Sequence, residues 1–120
     1  MDNANTTDQA APLAQISSAV ETCRTTLDRL QNTCCLADRS ARMVKLDTEV
    51  ERLAEITTAQ GAAAPADIET GIAGVDRVGA ALGALYATCC TPTRERLYVA
   101  MFKALGEVHN GLWRLKGLAH

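Results

Sequence analysis

From Pro12 onward the apolar residues recur at alternating steps of three and four, the spacing that gathers side chains on one face of an α-helix. The first stripe runs Leu13, Ile16, Val20, Cys23, Leu27, Leu30, Cys34 and Ala37. A second runs Met43, Leu46, Val50, Leu53 and Ile56, one position out of phase, because Ala41 and Val44 would have continued the first seam. The slip at residues 38–42 marks either a tight turn between two helices or a stutter in one long helix. Residues 60–66 (QGAAAPA) read as a loop: Gly61 ends a helix and Pro65 blocks its continuation. Asp67 is a good N-cap for a third helix, with stripe residues Ile68, Ile72, Val75, Val78 or Gly79, Leu82, Leu85 or Tyr86, and Cys89. Four glycines, at 71, 74, 79 and 83, interrupt that helix. Each costs about 1 kcal/mol relative to alanine, a cost usually tolerated where a neighbouring helix approaches closely. Thr91-Pro92 reads as an N-cap followed by proline at the first helical position, opening a helix with Leu97, Met101, Ala104, Leu105, Val108, Leu112, Leu115 and Leu118 on its seam. No window alternates apolar and polar residues for long enough to suggest a strand.

Shifted against itself by 55 residues, the chain agrees with itself. Leu13 falls on Ile68, Val20 on Val75, Leu27 on Leu82, Leu30 on Leu85, Leu46 on Met101 and Val50 on Leu105. Thr33-Cys34-Cys35 falls on Thr88-Cys89-Cys90, and Arg39 on Arg94. Any two amphipathic helices align their leucines at some shift. That does not account for a Cys-Cys pair and an arginine in the same register, so a duplicated helix–turn–helix unit is the better reading. The predicted fold is all-α: a four-helix up-down-up-down bundle made of two similar hairpins, residues 12–59 and 67–118, joined by the linker 60–66. The alternative is one long helix over 13–59 followed by two shorter helices. Residues 1–11 are polar and without period, and read as a disordered tail ahead of a single helical domain over 12–120.

In an up-down-up-down bundle helices 1 and 3 run parallel, so both hairpin turns share one pole. Cys34, Cys35, Cys89 and Cys90 then converge there, with Arg39, Arg42, Arg94 and Arg96 in the first turns of the following helices. Cations at a helix N-terminus oppose its dipole, and a local rule broken in both halves points to function. Positive potential of this kind favours thiolate, which gives the arginines a thiolate-stabilising role. Three chemistries fit four such thiols. They could hold a zinc ion, copper(I) or an iron–sulfur cluster, although C-C is a poor match to the usual C-x-x-C ligand spacing. They could form a reversible disulfide between the two hairpins, for example Cys35 to Cys90. Or they are small core hydrophobes. Cys23, which aligns with Val78, reads as core.

Composition narrows the function classes. Of 120 residues, 48% are apolar and 22% charged, a normal globular balance. Aromatics are only 3% (Tyr86, Tyr98, Phe102, Trp113), too few for a base- or sugar-stacking platform. A net charge of −2 and a pI of about 5.6 argue against a general nucleic-acid binder. No apolar run reaches membrane-spanning length. The polar start lacks the form of a secretory signal, so a cytoplasmic location is expected. His109 with Leu115-Lys116-Gly117 does not match the phosphotransfer pattern H-x-L-K-G, because the lysine lies seven residues from the histidine instead of three. Asp47, Glu51 and Glu55 share one helix face but lack the E-x-x-H partners of a di-iron bundle, and read as a solvated face. There is no P-loop, H-E-x-x-H or nucleophile–base arrangement. Trp113 lies one residue off the last seam and reads as core or bundle edge, or as the best single anchor for a partner.

The sequence therefore predicts a small non-enzymatic bundle for interaction or regulation, with the cysteine pole as a redox- or metal-responsive element. One alternative is a carrier of a thiolate-bound metal ion or cluster. Another is a structural or chaperone-like adaptor with inert cysteines. The expected partner is a protein or a second copy, engaged through apolar helix faces.

Overall fold

The computed structural model describes residues 2–33, 41–58, 65–88 and 95–118, and all of them are helical: α1 (Asp2–Thr33), α2 (Ala41–Thr58), α3 (Pro65–Thr88) and α4 (Glu95–Leu118). Neighbours in the chain pack side by side, and α1 also packs on α4 and α2 on α3, closing a four-helix bundle 55 Å long and 22 by 18 Å across. Contacting residues run in opposite senses. The Arg24 and Glu51 side chains pair between α1 and α2. Arg42 reaches Ala84 and Arg77 reaches Glu49 between α2 and α3. Tyr86 meets Glu95 and Glu69 meets Lys116 between α3 and α4. The topology is up-down-up-down, and α1 and α2 form a hairpin rather than one long helix.

Burial follows the 55-residue register closely. Ile16, Ala19, Val20, Cys23, Thr26, Leu27 and Leu30 are buried on α1, and so are their counterparts Gly71, Gly74, Val75, Val78, Ala81, Leu82 and Leu85 on α3. On α2 and α4 the pairs Met43/Tyr98, Leu46/Met101, Glu49/Ala104, Val50/Leu105 and Leu53/Val108 are buried together. The bundle thus has a pseudo-two-fold arrangement, with α1 corresponding to α3 and α2 to α4.

Two boundaries differ from the sequence expectation. α1 begins at Asp2, so residues 2–11, read as a disordered tail, are helical here and run through the buried Pro12. Residues 9–11 (Gln-Ala-Ala) are good helix formers and no glycine interrupts the segment. Pro12 removes one backbone donor from that stretch without breaking it. α3 begins at Pro65, two residues before the expected cap. Proline fits the first helical position because the N–H it lacks would have no intrahelical partner, and Asp67 then lies in the first turn, where the dipole favours an acid.

Small residues set the helix spacing. A Cβ added at Gly74 would come 3.2 Å from Leu53, and one at Gly71 would come 3.1 Å from Leu112. These two glycines are close-packing positions, as their sequence context implies. Gly79 and Gly83 are not: a Cβ at either would meet nothing within 4 Å.

Candidate functional site

The topology brings the ends of α1 and α3 and the starts of α2 and α4 to one pole, as the hairpin duplication implies. Cys34, Cys35, Cys89, Cys90, Arg39 and Arg94 lie outside the described residues, as does the acidic Asp38. Of the proposed thiolate-stabilising arginines, Arg42 donates to the backbone carbonyl of Ala84 at 3.3 Å, tying the start of α2 to the end of α3. Arg96 is exposed in the first turn of α4. Among the described residues no group of three or more His, Cys, Asp or Glu side chains is placed to hold a metal ion.

Cys23 is a core residue. Burial pushes its thiol from the ordinary 9.0 up to about 12, and the nearby Glu107 carboxylate adds to the rise. The folded protein therefore keeps this proton through the range in which the unfolded chain loses it. The stability that follows is complete below pH 9 and is lost as pH climbs toward 12. Three units correspond to roughly 4 kcal/mol over the full window. Native protein at pH 8 should leave Cys23 unmodified by a thiol reagent until denatured. Between pH 9 and about 11 the wild type should lose stability relative to Cys23→Val, which carries the side chain found at Val78. Parallel pH–stability curves for the two proteins would remove Cys23 from the account.

The other singled-out side chains divide cleanly. Glu51 pairs with Arg24 across the α1–α2 groove at 3.4 Å, and Glu55 is exposed, so the acidic face of α2 is solvated as expected. One acid escaped the sequence reading. Glu49 is only 6% exposed and accepts from Arg77 of α3 at 3.2 Å and from Arg52 at 3.4 Å. Its counterpart in the register is Ala104, so one half of the duplication holds an ion-paired carboxylate where the other holds a methyl. His109 is half-buried and accepts from the Trp113 indole N–H at 3.0 Å, and Lys116 lies 4.5 Å above the Trp113 ring while its ammonium pairs with Glu69 at 2.7 Å.

The two hairpins differ most on their outer faces. Between α3 and α4 the surface presents Val99, Phe102 and Trp113, exposed by 60%, 42% and 48%. Tyr86 is also exposed, packed edge-on against Tyr98 with its hydroxyl on Glu95. Gly79, Gly83 and Gly106 leave open space beside them. The register places a different chemistry on the α1–α2 face. Arg24 stands where α3 has Gly79, Asp28 where it has Gly83, and Gln31 where it has Tyr86. Asp47 stands where α4 has Phe102, and Glu51 where it has Gly106. These five side chains, with Glu21, line a shallow polar groove between α1 and α2. Val44 alone keeps the apolar character of its counterpart, Val99. The same positions are buried in the two units, while the outer faces differ in character, one charged and the other aromatic and glycine-rich. Identities between the halves do not reveal this; their differences at exposed positions do.

Compared with protein-family models, with curated proteins and with solved structures, the chain matches none. Among the described residues no helix is long and apolar enough to cross a membrane.

Proposed function

We propose that this chain is a non-enzymatic helical interaction protein whose partner-facing surface is the outer face of α3 and α4. The observation that carries the reading is the divergence just described. Solvent-facing aromatics on a small helical bundle are costly to keep in water, and the positions equivalent to Phe102 and Tyr86 carry Asp47 and Gln31 instead, with Arg24 and Asp28 in place of Gly79 and Gly83. Large rings beside flat glycine ground are the anchors and holes that concentrate binding energy in helix-mediated contacts. A photo-crosslinking residue at position 102 should yield a covalent adduct in cells, whereas the same residue at position 47 should not. Equal labelling from both positions, or none from 102, would overturn the reading.

A second reading has its own support. Thr33 and Thr88 end helices at the same pole, and each is followed in sequence by two cysteines. The proposal is that Cys34, Cys35, Cys89 and Cys90 form a redox- or metal-responsive element, in which a disulfide between the hairpins, or a shared zinc, copper(I) or iron–sulfur ligand set, would clamp the bundle end. Thiol counting and metal analysis on anaerobically purified protein test it. Four slow thiols and no stoichiometric metal would leave an adaptor with inert cysteines.

A further inference from the structure

We infer that the occupant of the α3–α4 face is a second copy of this chain, docked about a two-fold axis parallel to the helices so that α3 of each copy lies against α4 of the other. The inference rests on the reading of that face as an interaction surface and names its partner. Three features of the face support it. The first is shape. Because α3 and α4 are antiparallel, with Gly71 against Leu112, Glu69 against Lys116 and Tyr86 against Glu95, the level of Phe102 on α4 corresponds to a point between Gly79 and Gly83 on α3. An axis parallel to the helices preserves that level. Phe102 of the second copy then arrives over the two glycines, where nothing within 4 Å occupies the space a Cβ would take. The same operation seats the first copy's Phe102 on the second copy's glycines, so knob and hole belong to one self-complementary patch, as an isologous interface requires.

The second feature is charge. The described part of α3 carries Asp67, Glu69 and Asp76 against one base, Arg77, and that base is turned to Glu49 of α2. On α4 the exposed Lys103 and the Trp113-stacked Lys116 flank the aromatic residues. Setting α3 against α4 brings Asp76 within about one helical turn of Lys103 of the other copy. The opposite pairing, α3 on α3, would set acid against acid. The third feature is size. Two helices of 24 residues, each rising about 36 Å and lying about 10 Å apart, present a face on the order of 700 Å². That approaches the roughly 800 Å² each partner contributes to a standard stable interface.

Sedimentation equilibrium on the full chain tests the inference, with circular dichroism confirming that each variant remains helical. The wild type should sediment as a dimer. Gly79→Gln with Gly83→Gln fills the holes with side chains that the single chain has room for and that favour helix, so this variant should melt no lower than the wild type yet sediment as a monomer. Asp76→Lys and Lys103→Asp should each weaken the dimer about tenfold, and together restore it. A dimer that survives the glycine replacements and both charge reversals would overturn the proposed docking. A wild type that remains monomeric would overturn self-association while leaving the face's role to the crosslink at position 102. An adduct there of some mass other than twice the chain would keep the interaction reading with a different partner, and no adduct would end both.

Discussion

Replacing Tyr98 by alanine is expected to remove about 3–5 kcal/mol of folding stability, the cost of emptying an aromatic-sized volume in a packed core. Domains of this size hold about 5–15 kcal/mol in total, so the loss is a large fraction of what keeps the bundle folded. Among the described residues Tyr98 is the largest fully buried side chain, 1% exposed, and its ring meets that of Tyr86 edge-on with centroids 5.0 Å apart. It is the first buried residue of α4, near the pole where the helix ends gather. The register supplies a control. The counterpart of Tyr98 is Met43, equally buried, so methionine is already accommodated at this level of the bundle. Tyr98→Met keeps most of the volume and should cost less than about 1.5 kcal/mol. Tyr86→Ala removes only the exposed half of the ring pair and should cost about 1 kcal/mol. Urea denaturation of the three variants, compared at constant m-value, measures these costs. A Tyr98→Ala loss under 1 kcal/mol would mean that the ring is not part of the core.

The number of helices, their antiparallel order and the buried stripe were legible in the chain because each is a periodic signal repeated over many residues. Leu27, Leu30, Leu46, Leu53, Leu82, Met101 and Leu115 all lie on the periodic seams and are all buried. Cys23 was legible for a different reason: Val78 in the other half showed what the position tolerates. The start of α1 was not legible, since residues 2–9 are polar and carry no stripe. Gly79 and Gly83 were misread as close-packing positions because glycine in a helix signals a missing Cβ without saying what stands beside it. At Gly71 and Gly74 a neighbouring helix stands there; at Gly79 and Gly83 there is open space.

Glu49 shows the limit in another form. It lies one residue before Val50 on the flank of the α2 stripe, a position buried where α3 packs on α2. The carboxylate is tolerable there because two guanidinium groups, both reaching solvent, come to meet it. Nothing in the local sequence of α2 contains Arg77. The partner comes from the other repeat, 28 residues away, so only the assembled bundle brings the pair together. The candidate face was legible only at Trp113, on the same ground. Val99, Phe102 and Trp113 are spaced as a helical stripe of their own, but a stripe beside a seam reads as a wider seam until the neighbouring helix is seen to leave it uncovered.

Gly111→Ile should destabilise the bundle by about 3 kcal/mol or more, at the upper end of what overpacking costs. A single methyl at Gly111 would already lie 2.5 Å from Cγ1 of Ile16, 3.2 Å from its Cδ1 and 3.3 Å from the backbone carbonyl oxygen of Pro12. Cγ1 hangs from the branched Cβ and cannot swing away freely, and the carbonyl belongs to α1 itself. Relief therefore requires α1 and α4 to separate along their tightest stretch, where Gln15 also bonds the Glu107 carbonyl at 3.0 Å and Arg114 donates to Gln15 at 2.7 Å. The duplication offers the corrective. In the equivalent α2–α3 contact the sizes are exchanged: Gly71 stands at the place of Ile16, and Ile56 at the place of Gly111, with the Gly71 Cβ position 3.8 Å from Ile56. The same pocket is filled from the opposite helix. The double variant Ile16→Gly with Gly111→Ile copies that arrangement and leaves the number of helical glycines unchanged, so propensity nearly cancels. Each single change should cost about 3 kcal/mol, Gly111→Ile by overpacking and Ile16→Gly by a cavity and an added glycine. The pair should fall well short of the additive loss, with a coupling energy of about 2–3 kcal/mol in a double-mutant cycle. Additive losses would show that the two interfaces are not related by the exchange, and with them would go the strongest packing argument for a duplicated hairpin.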